Sequence, residues 1–394
     1  MDLFKKCSDF TTVKEVKEKG IYPYFHMLES KQDTVVEMEG KREIMIGSNN
    51  YLGLTSHPEV IEAAVEATKK FGTGCSGSRF LNGTTTGHVE LEKELAEFLH
   101  KEDCITLSTG FQTNLGIISA IAGRKDVVLC DKENHASIYD AIKLSYAELI
   151  RFNHNDMEDL ENKLKNVPAD KGILIVTDGV FSMSGEICNL PKLVELKKKY
   201  GARLMVDDAH GLGILGEHGR GTAEYFGLED EVDLISGTFS KSLASLGGYC
   251  ACDHEVAEYL RHNSRPFIFS ASITPSCVAA ARKSLEIIKR EQRGKQLLEI
   301  TDYMRECLTK RGIKFKSSPT PIIPIYTYEP ELTLKACKML FDEGVYVNPV
   351  LPPATPVGEC LIRTSYTATH TKELMDEAAD KILKVFKELG IVKD

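Results

Sequence analysis

Arg203-Leu204-Met205-Val206-Asp207-Asp208-Ala209-His210-Gly211 is the stretch whose reading decides the fold. Leu204, Met205 and Val206 follow one another without polar alternation, which predicts a strand buried on both faces. The strand stops abruptly at two carboxylates. A helical stretch, 190–200, precedes it. The same alternation runs upstream: helix 88–100, apolar run 104–108, helix 111–122, strand 126–130, helix 135–147, strand 148–152, helix 156–165, strand 173–177. Downstream, runs 233–237 and 248–252 add two strands. Strands apolar on both faces, with helices between them, predict an α/β fold: a mostly parallel seven-stranded sheet between helices.

The flanks differ in character. Residues 1–20 predict an amphipathic helix. Thr34–Met38 and Glu43–Ile46 predict a hairpin around Glu39-Gly40-Lys41-Arg42. Pro58 opens a helix that Gly72 closes. Beyond about residue 275 comes a long, charged helical stretch, 276–311, then strand 321–326, helix 331–343, short strands near 345–348 and 360–364, and a helix over 371–389. The expected organisation is an N-terminal segment 1–47, a large domain 48–275 and a smaller α+β domain 276–394.

A chain of 394 residues is long enough for more than one domain. Its net charge of −9 argues against a nucleic-acid partner. No apolar run is long enough to cross a bilayer, and the first residues lack the apolar core of a signal peptide. Eleven cysteines, an odd number without framework spacing, suggest reduced thiols in the cytoplasm. Cys250-Ala251-Cys252 has no zinc spacing and no His/Cys companions, so no metal is expected.

An open α/β sheet binds ligands at the carboxyl ends of its strands. Several reactive residues fall there. Lys241 lies in Gly237-Thr238-Phe239-Ser240-Lys241-Ser242, just past strand 233–237. Burial there disfavours the ammonium form, and a lysine that loses its proton can form a Schiff base with an aldehyde. The aldehyde these surroundings suit is pyridoxal 5'-phosphate (PLP). Asp207, one strand away, is placed to meet a pyridine nitrogen. His210 could reach the cofactor's phenolic oxygen, or bond to backbone as an ordinary loop histidine. Gly110, at the strand-to-helix junction of Leu107–Asn114, leaves helix amides open to a phosphate, although a plain capping role for Ser108 and Thr109 fits as well. His135 follows the strand ending at Asp131 and could stack on a pyridine ring or cap the next helix. Ser182 follows the strand ending at Asp178. Arg363 offers a two-point grip for a carboxylate, or a surface ion pair.

Two glycine patterns compete. Gly72–Gly77 follows a helix, which is wrong for a dinucleotide fingerprint. Gly211–Gly216 does follow a strand, but its glycines continue to Gly219 and Gly221 as an extended loop, and Asp233 precedes its strand rather than ending it. A nicotinamide enzyme is the weaker reading.

Taken together, these residues resemble the PLP-dependent α-oxoamine synthases of fold type I. The resemblance runs from about Ser48 to His370. It is carried by Asn50-Tyr51-Leu52-Gly53, Gly83-Thr84 with His88 and Glu90, Asp207–Gly211, Gly237–Ser242 and Pro352-Pro353-Ala354-Thr355-Pro356. Within the family the chain is similar to the bacterial serine palmitoyltransferases, through Ser76–Thr84, Ser108–Phe111, His135–Asp140 and Pro266–Ser272. The resemblance implies a decarboxylative condensation of L-serine with a long-chain acyl-CoA to 3-oxosphinganine. It implies that Lys241 carries PLP and moves the α-proton, with Asp207 on the ring nitrogen and His210 on the phenolic oxygen. It implies that His135 packs on the ring, and that Gly110, Phe111, Ser182, Thr238 and Ser240 surround the cofactor. Asn50, His135 and Arg363 would hold the amino acid. Leu351 stands where relatives often carry arginine. A homodimer is implied, and a lipid-like product makes peripheral membrane contact an expectation. Sibling synthases using glycine or alanine (glycine C-acetyltransferase, 8-amino-7-oxononanoate synthase) are the alternative. A non-catalytic subunit is disfavoured by the intact Lys241.

Overall fold

The computed structural model describes residues 2–392. The chain divides into two compact units. The larger comprises Asn49–Leu298 with Ser318–Pro321, and the smaller comprises residues up to Ser48 with Glu299–Ser317 and the chain from Ile322 onward.

In the smaller unit, β1 (Val35–Met38) and β2 (Lys41–Met45) form the expected hairpin, tighter than the sequence suggests. Glu39 and Gly40 alone make the turn, both at positive φ (51° and 71°), the backbone of a two-residue hairpin loop. The single helix expected over 1–20 is instead two short ones, Lys5–Ser8 and Thr12–Glu18. Neither buries a residue, so nothing rewards a continuous helix through Asp9-Phe10.

The larger unit holds the sheet. Its strands are β3 (Asp103–Leu107), β4 (Asp126–Asp131), β5 (Glu148–Phe152), β6 (Gly172–Asp178), β7 (Arg203–Asp207), β8 (Leu234–Thr238) and β9 (Gly248–Cys252). Their order is β3-β9-β8-β7-β6-β4-β5, parallel except at β9, which runs antiparallel to both neighbours. Ile105, Leu129, Val176, Met205 and Cys250 are almost completely buried, as strands covered on both faces require. The register aligns Asp178 with Asp207 and Asp207 with Ser236. Three neighbouring strands therefore end in polar side chains at one edge.

The helical stretch expected over 276–311 consists of two helices, Pro275–Arg290 and Arg293–Lys310. In the smaller unit β10 (Ile322–Tyr328), β11 (Val345–Tyr346), β12 (Asn348–Val350) and β13 (Cys360–Ser365) complete the strands. β11 extends the hairpin sheet, and the other three form a sheet of order β10-β13-β12. No described helix is long and apolar enough to cross a membrane.

Glu43, in the middle strand of the hairpin sheet, is fully buried, and neither carboxylate oxygen has a hydrogen-bond partner among the described residues. Burial raises its pKa to about 7, against the lowering pull of Lys41, Lys381 and Arg42. The unfolded chain ionises this group near its ordinary value, below the folded one. Its charge therefore costs nothing in acid and destabilises the fold progressively as pH rises through 7. Glu43→Met should stabilise the protein by on the order of 2 kcal/mol more at pH 8 than at pH 4.5. Denaturant unfolding at the two pH values checks this, and a gain independent of pH would refute it.

Candidate active site

At the carboxyl edge of the larger unit's sheet lies a cavity of about 240 Å3. Gly110, Phe111, His135, Ser182, Asp207, His210, Thr238, Ser240 and Lys241 all line it. The strand ends bring them together. β7 delivers Asp207, and the turn after it delivers His210. β8 ends at Thr238, three residues before Lys241.

Lys241 Nζ lies 2.8 Å from His210 Nε2, and His210 Nδ1 lies 2.7 Å from the Tyr51 hydroxyl. Tyr51 in turn donates to Asn49 Oδ1 at 3.3 Å. One proton arrangement satisfies this chain: His210 donates to Tyr51 through Nδ1, and its Nε2 accepts from the lysine. The imidazole is thus a ready acceptor for a proton leaving Lys241.

Asp207 is 8% exposed. Its carboxylate accepts from the Ala209 amide (3.1 Å) and from Asn114 Nδ2 (2.6 Å). Asn114 also donates to Ser137 Oγ (2.9 Å) and accepts from Ser236 Oγ (3.1 Å), so its amide is fixed on three sides. Asp178, beside Asp207 in register, also lines the cavity, and burial followed by the nearby Asp207 charge raises its pKa well above the usual carboxylate range.

His135 caps the helix Ala136–Ser145. Its Nδ1 accepts from the Ser137 amide at 3.3 Å and lies 2.7 Å from Ser137 Oγ. Burial lowers its pKa, so the ring is uncharged near neutrality, with Nε2 carrying the proton. His135 thus caps its helix and lines the cavity at once.

The opposite end suits an anion. Gly110 opens the twelve-residue helix Gly110–Ile121, whose first amides have no intrahelical acceptor. A Cβ on Gly110 would stand 2.8 Å from Thr238 Cβ, so only glycine permits this approach. Thr238 Oγ1 and Ser240 Oγ lie 2.9 Å apart and present hydroxyls on the same side of the site.

Asn50 is buried, and its Oδ1 accepts from Thr55 Oγ1 (2.9 Å) and the Thr55 amide (3.3 Å). Arg363 belongs to the smaller unit, in β13. It is 6% exposed and donates to Ser365 Oγ (3.3 Å), so it is not a surface cation. Asp208 is structural: it is buried and accepts from the Thr222 amide and hydroxyl, both at 2.6 Å. Cβ atoms on Gly179, Gly211 and Gly221 would each fall within 2.5 Å of its oxygens. The Gly211–Gly221 loop is therefore built around a carboxylate. Asn114 and Asp178 are the residues that sequence reasoning missed. Both sit on elements it identified, but nothing in their spacing marks them.

The donor set fits PLP: an amine, a facing carboxylate, a neutral imidazole, and a helix start flanked by hydroxyls. Similarity to known proteins points the same way. Residues 41–382 match the family model for aminotransferase class I and II. The serine palmitoyltransferase of Sphingobacterium spiritivorum is 52% identical over 390 residues, which is 99% of this chain and 98% of that protein. The 8-amino-7-oxononanoate synthase of Thermosipho melanesiensis is 42% identical, over 96% of this chain and 97% of that one. A solved serine palmitoyltransferase with a PLP internal aldimine superposes with a TM-score of 0.96 at 36% identity, covering 100% of both chains. This chain belongs to the class I and II aminotransferase family, in its α-oxoamine synthase branch and beside the serine palmitoyltransferases.

Proposed function

We propose that the protein, with PLP, condenses L-serine with a long-chain acyl-CoA, releasing CoA and CO2 and forming 3-oxosphinganine. The observation that carries this reading is the convergence of Lys241, Asp207, His135 and the Gly110 helix start on one cavity. The 52% identity to a serine palmitoyltransferase supports the choice of substrates.

Bound PLP supplies an electron sink for the pair left when serine loses its α-proton. The protein's residues do the rest. Asp207, held by Asn114 and the Ala209 amide, would keep the ring nitrogen protonated. The Gly110 and Phe111 amides and the hydroxyls of Thr238 and Ser240 would hold the phosphate. His135 and Ser182 would hold the ring. Lys241 would take the α-proton, with His210 and Tyr51 as the route by which its own proton is passed on. Asn50 and Arg363 would bind the serine carboxylate. A fixed carboxylate orients the α-C–H bond for removal, and that orientation is a large part of the rate. The new carbon–carbon bond forms as the thioester C–S bond breaks. The carboxyl carbon then leaves as CO2.

We also infer a homodimer and a cytoplasmic setting. Exposed Leu81 (76%) and Phe269 (78%) support the first as apolar side chains in need of cover. Eleven free thiols support the second.

The test is CoA release from palmitoyl-CoA with L-serine, glycine or L-alanine, and the mass of each product. Serine should support turnover, and its product should keep the hydroxymethyl group. Turnover with alanine or glycine in place of serine would overturn the reading in favour of a sibling synthase, the activity of the 42% identical relative.

A further inference from the structure

Behind the cavity wall stands a histidine that the proposed chemistry does not use. His154 follows β5. Its Nδ1 lies 3.0 Å from Asp131 Oδ1 and its Nε2 lies 3.0 Å from Glu186 Oε2, with Glu133 Oε2 at 3.5 Å. The ring sits edge-on to Phe181, centroids 4.3 Å apart. Burial disfavours its charge, but the hydrogen bonds to Asp131 and Glu186 outweigh that and raise its pKa to about 10. His154 is therefore a cation at neutral pH and donates from both nitrogens.

Its two carboxylates come from different loops, and each loop carries a cavity residue. Asp131 ends β4, four residues before His135. Its other oxygen accepts from the Asn155 amide (2.8 Å), which locks the turn holding His154. Glu186 closes the loop after β6. The Phe181 amide donates to the Glu186 carbonyl at 2.9 Å, which pins the segment carrying Ser182. Asn155, at φ 51°, reaches the same loop through Ile187 O (3.1 Å). From the helix side, Asp159 accepts from the Asn153 amide at 2.8 Å. Asp131, Glu133 and Glu186 are the charged groups that face the imidazole from the elements packed on it.

We propose that His154 is a positioning residue: clamped between Asp131 and Glu186, it fixes the His135 loop and the Ser182 loop relative to each other, and so sets the grip on the cofactor ring. This rests on the assignment of PLP to the cavity. Removing the imidazolium breaks the two charge-assisted hydrogen bonds that tie these loops to each other.

The experiment titrates PLP into resolved wild-type apoprotein and into H154Q, following visible absorbance and visible circular dichroism, with apoprotein thermal unfolding measured alongside. H154Q should bind PLP about tenfold more weakly or worse. It should also show a smaller dichroic signal per bound PLP, a change that lowered stability alone does not produce. The affinity gap should close as pH rises through about 10, where wild type loses the same charge. If H154Q does not fold, E186Q decides: it keeps an acceptor for Nε2–H but removes one charge, and it should show the same two changes more weakly. Wild-type affinity and dichroism in whichever of the two variants folds overturns the proposal alone. Wild type that takes up no PLP overturns the cofactor assignment, and this proposal with it.

Discussion

Lys241→Ala should lower turnover by roughly 10⁴-fold, the upper range for losing a positioned acid–base group, because no other amine among the described residues lines the cavity. Lys241 is only partly buried and reaches His210 at 2.8 Å, so its removal leaves the sheet untouched. The measurement pairs steady-state CoA release with borohydride reduction and peptide mapping. In wild type the reduced cofactor should map to the peptide carrying Lys241. In the variant no lysine should be labelled, while PLP is still retained non-covalently by the helix start and the hydroxyls. Residual activity above about one per cent of wild type, against the expected loss, would show that the α-proton has another base.

Asp207→Asn should cost about 10²–10³-fold in kcat, with a smaller change in KM, because in the proposed mechanism it removes the carboxylate that would keep the cofactor ring protonated. Asn114 Nδ2 and the Ala209 amide now meet different oxygens of the carboxylate, so the substituted amide can keep only one of these two hydrogen bonds, and a smaller part of the loss will come from that. The neighbouring Asp178→Asn is the control. Burial disfavours charge on Asp178, so an amide there should change less. Parallel kinetics on the two variants check the assignment. Equal losses at Asp178 and Asp207 would mean that the site needs the pair as a unit and that Asp207 has no special role.

The sheet is legible in the sequence because its strands are apolar on both faces, a pattern that tertiary context seldom overrides. Asp207 and Lys241 are legible because a charge at the end of such a strand costs desolvation unless a partner meets it. The failures share a cause. Periodicity alone suggests a helix over 1–20, but a periodic face stabilises a helix only when something covers it. Asn114 is invisible in the sequence because its importance lies in reaching Asp207, ninety-three residues away. His154 is hidden for a similar reason: its partners arrive from two other loops. Asn50 and Arg363 show the limit from the other side, since their types suggest a carboxylate but give no hint of how deeply each is buried.

The crowding about Asp208 has a consequence for how such a chain can change over time. Asp208 crowds out a methyl group at Gly179, Gly211 and Gly221 alike, and Thr222 adds to the crowding at the first two. The four positions cannot drift independently. An alanine at Gly211 needs a background where Asp208 has already given way to something smaller, and that step would first strip Thr222 of both its acceptors, while Gly221, at φ 102°, needs glycine in any background.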